Sequence, residues 1–256
     1  MKLTILGCSG SGPGPDSPAS SYLVESGGTR LLVDLGSGAF GPLQRFIDPF
    51  ALDAVVLSHL HPDHCADLSA LTVARRYRPD QPRDPERKRL PVHGPAETPT
   101  RLAGLYAASR AERDETDLSD VYEFAELDRG PVRIGAFELR AVPMRHVCPA
   151  WGFRIAAEGR VLACTGDTGP CGELGELADR ADVLLSEASW TDFPDAPTDV
   201  HLSGRQAGET ASAAGSRRLL LTHLQPWTDR EAILAEANEV FDGPTELVQQ
   251  GRTYEV

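Results

Sequence analysis

The sequence predicts an α/β domain, and three observations carry that prediction. Short runs of β-branched residues and leucine recur along the chain, separated by turn-rich stretches or by segments of helical character. Hydrophobic residues at 41% and charged residues at 25% match a globular chain and exclude a disordered or fibrous one. The 256 residues can enclose a sizeable core, and neither a fixed-period repeat nor a flexible linker marks a second one. Residues 1–256 therefore read as one domain.

In chain order, KLTIL at 2–6, SSYLVE at 20–25 and RLLVDLG at 30–36 read as strands of a meander, with CSGSGPGPDSP and SGG as the turns. AVVLSH at 54–59 is a fourth strand, and Leu68, Leu71 and Val73 beyond it suit a helix more than a loop. The later runs are FELRAVP (137–143), GFRIAAE (152–158), VLACTG (161–166), DVLLSEA (182–188) and RLLLTH (218–223). Continuous apolar runs of this kind are expected of strands buried between layers. Two helices carry start signals in which a hydroxyl N-cap is answered three residues later: Ser203 by Gln206, and Thr228 by Glu231. The second presents Ile233, Ala237, Val240 and Phe241 on one face and stops before Gly243.

Residues 75–130 differ in character and read as an insertion. Residues 75–89 hold seven basic and three acidic side chains, whereas 112–128 hold eight acidic and one basic, so the charge changes sign within the segment. Such a pattern fits a solvated loop and helix, or else the mouth of an active site or a dimer contact.

The formal charge is −13, from 25 basic and 38 acidic residues. That balance disfavours broad binding to nucleic acid, because little positive field exists to replace condensed counterions. A small or locally steered substrate is expected. Cys8, Cys65, Cys148, Cys164 and Cys171 are odd in number, scattered and without a Cys-x-x-Cys pair. They point to reduced thiols rather than a disulfide framework or a thiolate zinc site. No stretch approaches the roughly 18 apolar residues of a membrane span, and MKLTILGCSGSG reaches Gly7 too soon for a secretory signal, so a cytoplasmic location is expected.

Three of the seven histidines fall in SHLHPDHCADL, as His59-x-His61-x-Asp63-His64 directly after a strand. A turn leaving a strand can aim alternate side chains in different directions, so His59 and His61 can face one ion while Asp63 and His64 face a second. This cluster is as specific as the better helix-borne zinc motifs. Imidazole and carboxylate donors without thiolate suit zinc, with manganese or iron as alternatives.

Taken with His146, Gly166-Asp167-Thr168 and Leu221-Thr222-His223, the motif resembles the metallo-β-lactamase fold superfamily. The resemblance implies a four-layer αββα sandwich with two divalent metal ions at one edge. It implies one metal on His59, His61 and His146, a second on Asp63, His64 and His223, and Asp167 bridging them. It also implies that Asp34, in LLVDLG, supports the metal loop from below. SEASW at 186–190 and HLSGRQAG at 201–208 are similar to motifs of the tRNase Z-like branch. By that likeness His201 donates a proton to the leaving oxygen and Glu187 orients it.

Over nearly the whole chain, LGCSGSGPGPDSPASSYLV, LSHLHPDHCADL, TGDTG, LLSEASW, HLSGRQAG and LLLTHLQPWT resemble the actinobacterial atypical class II-like cyclic nucleotide phosphodiesterases. The implied activity is hydrolysis of a 3′,5′-cyclic nucleotide, cyclic AMP first, to the 5′-nucleotide, with Asp63 or Asp167 helping to hold the attacking group. The implied partners are that small molecule and a second copy of the chain in a homodimer, with no stable nucleic-acid complex. Two rival readings remain. A tRNase Z-like endoribonuclease would process tRNA 3′ trailers, but no Gly- and Lys-rich arm is evident in the sequence. A metal-stabilised binding protein without turnover would not need both a full ligand set and a proton donor.

The remaining motifs are weaker. GCSGSGPG is interrupted by Pro13, is followed closely by Pro15, and lacks the Gly-Lys-Ser/Thr of a phosphate loop. It reads instead as a turn whose small residues let backbone approach the metal edge. His93 reads as an ordinary strand-end histidine. Arg75, Arg76 and Arg78 read as a phosphate contact or a solvated face.

Overall fold

The computed structural model describes residues 1–79 and 89–256. The part of the basic run at residues 80–88 lies outside the described residues. β1 (Lys2–Gly7), β2 (Ser21–Ser26) and β3 (Thr29–Val33) pair antiparallel in succession, as the meander predicts. β4 (Ala54–Val56) joins β3 in parallel. A parallel neighbour requires a crossover, which α1 (Phe40–Phe46) occupies.

β5 (Leu90–Gly94) and β6 (Tyr122–Glu126) extend this sheet in parallel. Between β4 and β6 lie α2 (Pro62–Cys65), α3 (Leu68–Tyr77), α4 (Thr98–Tyr106) and α5 (Arg110–Glu115). The second sheet begins with the antiparallel strands β7 (Pro131–Ile134), β8 (Phe137–Met144), β9 (Ala150–Ala157) and β10 (Arg160–Cys164). It continues in parallel with β11 (Val183–Glu187), β12 (Leu219–Thr222) and β13 (Thr245–Leu247). α6 (Glu173–Ala178), α7 (Gly204–Ala214) and α8 (Arg230–Asn238) occupy these crossovers. β14 (Thr253–Glu255) returns to pair with β1. Among the described residues, each sheet therefore has seven strands, four antiparallel followed by three parallel.

The two-residue period of a strand sorts side chains into three cores. Leu3, Ile5, Tyr22, Val24, Leu31 and Val33 of the first sheet meet Phe153, Ile155, Leu162 and Leu185 of the second in the central layer. Their alternates Leu23, Leu32 and Val55 face outward and pack with Leu43, Leu68, Leu71 and Leu102 from α1, α3 and α4. On the other side Ala163, Leu184, Leu219 and Leu221 pack with Leu174, Ala207 and Ile233 from α6, α7 and α8. The result is the four-layer αββα sandwich, and both faces of the central strands are buried, which explains their unbroken apolar runs.

Two local expectations need adjustment. α8 is capped by Asp229, which accepts from the Ala232 amide, and not by Thr228. The Thr228 hydroxyl donates instead to the Ser189 carbonyl at 3.0 Å. In the 75–130 segment, read as loop and helix, two strands complete the first sheet. Pro91, His93 and the acidic residues of β6 hide their strand pattern. The Ser203–Gln206 capping box forms as expected and starts α7, which Gly215 ends in the left-handed conformation at φ 64°. Among the described residues, no helix is long and apolar enough to cross a membrane.

Candidate active site

Strand ends position nearly every candidate side chain. Asp34 follows β3, His59 follows β4, His146 follows β8, Asp167 follows β10 and His223 follows β12, while Glu187 is the last residue of β11. Carboxyl ends of parallel strands are where α/β sheets place ligands. Asp63 and His64 ride on α2, the short helix after β4, and His201 lies just ahead of the Ser203 cap of α7. Asp34 and His223 adopt left-handed backbone at φ 57° and 56°, a conformation uncommon outside glycine but enriched for Asp and His. Gly10 and Gly36 allow close approach there. A Cβ on Gly10 would lie 2.3 Å from the His223 carbonyl oxygen, and one on Gly36 would lie 1.9 Å from that of Asp63. The glycine-rich turn thus brings backbone to the edge of the cluster, with the Ser11 amide 3.4 Å from His223 Nε2.

The nine candidate residues converge in three adjoining groups, the last two sharing His223. Ligand atoms of His59, His61 and His146 lie within 4.8 Å of one another, as do those of Asp63, His64, Asp167 and His223, and those of Glu187, His201 and His223. Asp167 stands between the first two groups: one carboxylate oxygen is 3.2 Å from His64 Nε2, and the other is 3.3 Å from His223 Nε2 and 3.7 Å from His59 Nε2.

Hydrogen bonds fix which imidazole nitrogen faces inward. His146 Nδ1 can only donate to the Val200 carbonyl, 2.9 Å away, so its Nε2 lone pair points to His61 Nδ1 at 3.3 Å. His64 Nδ1 donates to the Asp34 carboxylate at 2.8 Å. Ser58 gives Asp34 both its amide and its hydroxyl at 2.7 Å, and the hydroxyl in turn accepts from His59 Nδ1 at 3.1 Å. The Ser189 hydroxyl donates to Glu187 Oε2 and accepts from His223 Nδ1, each at 2.9 Å. Histidines whose outer nitrogen is held by a carboxylate, carbonyl or hydroxyl are oriented as metal ligands are.

The donor set fits divalent cations. His64 Nε2 and Asp167 Oδ1 face each other at 3.2 Å in the buried centre, and neither makes a well-formed hydrogen bond with any described residue, a condition that native structures rarely tolerate without a bound group. Burial opposes ionisation of Asp63 and Asp167, yet His223 and His64 hold both well below the usual carboxylate range. Burial likewise opposes charge on His64, but Asp167 and Asp34 outweigh it and hold its proton well above the ordinary imidazole range. Buried carboxylates that demand positive charge in this way are neutralised by a cation. Burial pushes His59 and His146 below the ordinary imidazole range and leaves them neutral, as ligands must be.

Glu187 is the hub of a second network. Its Oε1 accepts from the Thr168 amide at 2.6 Å and lies 3.1 Å from His201 Nδ1, while Oε2 takes the Ser189 hydroxyl. Burial lowers the affinity of His201 for a proton, but the Glu187 carboxylate outweighs it and raises the pKa to about 9. Ser58, Thr168 and Ser189 are the supporting residues that sequence reasoning missed. Ser189 had one usable signal, since it stands two residues after Glu187 and so on the same side of an extended chain.

The weaker candidates sit elsewhere. His93 lies next to last in β5 and joins none of the three ligand groups found among the described residues. Arg76 pairs with Asp120, Arg78 pairs with Asp48 and Arg75 lies over the Phe50 ring at 5.1 Å, so all three engage surface partners.

This sandwich and this histidine–aspartate cluster define a metallohydrolase class. The family model for the beta-lactamase superfamily domain matches residues 29–224, and the chain belongs to that superfamily. An uncharacterized protein of Mycobacterium tuberculosis is 46% identical over 259 residues, spanning all of this chain and 92% of that one. The probable metallo-hydrolase YhfI of Bacillus subtilis is 29% identical over 255 residues and the whole of both chains. Its crystal structure superposes with a TM-score of 0.86 at 27% identity, covering 99% of this chain and 98% of that one. A ribonuclease Z of Mycolicibacterium gilvum is 32% identical over 251 residues, covering 88% of this chain and 85% of that one.

Proposed function

We propose that this metallohydrolase cleaves 3′,5′-cyclic nucleotides, cyclic AMP first, to 5′-nucleotides. The observation that carries the reading is the buried His201–Glu187 pair beside the ligand cluster. A phosphodiester that releases a ribose alkoxide needs a proton donor, and a chain built only to bind one does not. Hydrolysis adds water oxygen to phosphorus and breaks the bond to O3′, which must leave with a proton. Nδ1 of His201 is engaged by Glu187, so Nε2 is the atom that delivers that proton. Glu187 orients the ring, and Asp63 or Asp167 helps hold the attacking water.

His59, His61 and His146 would hold one divalent ion, Asp63, His64 and His223 a second, and Asp167 would bridge them; zinc suits this set, with manganese or iron as alternatives. Such ions supply Lewis acidity toward the phosphate and lower the pKa of water to near neutrality.

A charge of −13 favours a small substrate over RNA. The likeness to a ribonuclease Z favours the second reading, cleavage of tRNA 3′ trailers. Side-by-side assays of the purified protein on cyclic AMP, cyclic GMP, an aryl phosphodiester and precursor tRNA separate the two. Turnover of cyclic AMP is expected; trailer cleavage without any cyclic nucleotide hydrolysis would overturn the proposal.

A further inference from the structure

We propose that Trp190 and Phe193 form the nucleobase subsite, with Phe193 as the stacking face. This rests on the cyclic-nucleotide reading of the same site. The oxygen that His201 protonates belongs to the ribose, and the base is attached to that ribose, so the side chains around His201 are the ones the nucleoside meets. The Trp190 ring stands edge-on to His201 with centroids 5.2 Å apart, and Phe193 stands edge-on to Trp190 at 6.1 Å. Trp190 is partly buried and anchored by a bridge to Ser203 at the start of α7, whereas Phe193 is 43% exposed. An aromatic wall thus runs outward from the proton donor, its inner ring fixed and its outer ring open.

Phe193 leaves part of its ring in solvent one aromatic neighbour away from His201, where a flat ligand attached to the reacting ribose can reach it. A purine is a flat π-surface of suitable size, and rings of this kind stack on aromatic side chains without needing hydrogen-bonding partners. The wall therefore selects for the presence of a base more than for its identity.

The test compares two substrates with the same leaving oxygen: cyclic AMP, and methyl ribofuranoside 3′,5′-cyclic phosphate, which has no base. Base–aromatic stacking loses about 5- to 150-fold on alanine substitution. In Phe193→Ala, kcat/KM for cyclic AMP should fall by that factor beyond any loss on the baseless diester, chiefly through KM. Phe193→Trp should restore it. Equal losses on both substrates, in a protein whose unaltered form turns over cyclic AMP, would overturn the subsite alone. An unaltered protein that hydrolyses neither substrate would overturn the subsite together with the cyclic-nucleotide reading.

Discussion

Replacing His201 with alanine separates proton donation from everything else the site does. Glu187 loses one partner but keeps the Thr168 amide at 2.6 Å and the Ser189 hydroxyl at 2.9 Å, so its carboxylate is not left orphaned. The ligand groups built on His59 and on His64 do not include His201. The loss should therefore be chemical, and a positioned general acid contributes roughly 10²–10⁴ in rate. That corresponds to about 3–5 kcal/mol of barrier.

The assay is kcat on two substrates. Cyclic AMP releases an alkoxide and should show the full loss, whereas bis(4-nitrophenyl) phosphate releases an oxygen stable as an anion and should lose less than about tenfold. Equal losses on the two would refute His201 as the donor. No loss on cyclic AMP would refute it outright.

Three further predictions follow from the supporting residues. Glu187→Gln removes the charge that raises His201 to about 9. A donor works while protonated, so the alkaline fall of the pH–rate profile should move to lower pH, and an unmoved limb would refute the pairing. Asp34→Asn cannot accept from the Ser58 amide, the Ser58 hydroxyl and His64 Nδ1 together. It should lower metal affinity about 10- to 100-fold, read by competition with a chromogenic chelator. Ser189→Ala leaves His223 Nδ1 without its hydroxyl partner, and metal affinity should fall by roughly the same factor; unchanged affinity would show that Ser189 does not orient His223.

The sheets were legible where strands are buried on both faces. Runs such as VLLSE of β11 and RLLLT leading through β12 have no alternation to lose, and they mark central strands without ambiguity. β5 and β6 were not legible, because Leu90 and Val92 alternate with a proline and a histidine and β6 is largely exposed. β13 and β14 span three residues each, too few for a periodic signal. At α8 two adjacent residues, Thr228 and Asp229, could both cap, and tertiary contact with Ser189 decides between them.

Within the site, the His59–His64 motif is local and readable on its own. His146, Asp167 and His223 are not, since each is one polar residue after a strand and only the resemblance implied them as ligands. The hydrogen bonds that aim each imidazole come from residues up to 54 positions away, as His146 to Val200 does, and no sequence window contains both.

The claim on which all of this depends is that two groups of imidazoles and carboxylates hold two divalent ions. Elemental analysis of protein purified without chelator measures it directly, read as metal per chain before and after dialysis against chelator and readdition. Two equivalents, lost with activity and regained with it, are expected. A chain that carries none and takes up none, yet remains folded and hydrolyses its substrate, would contradict it.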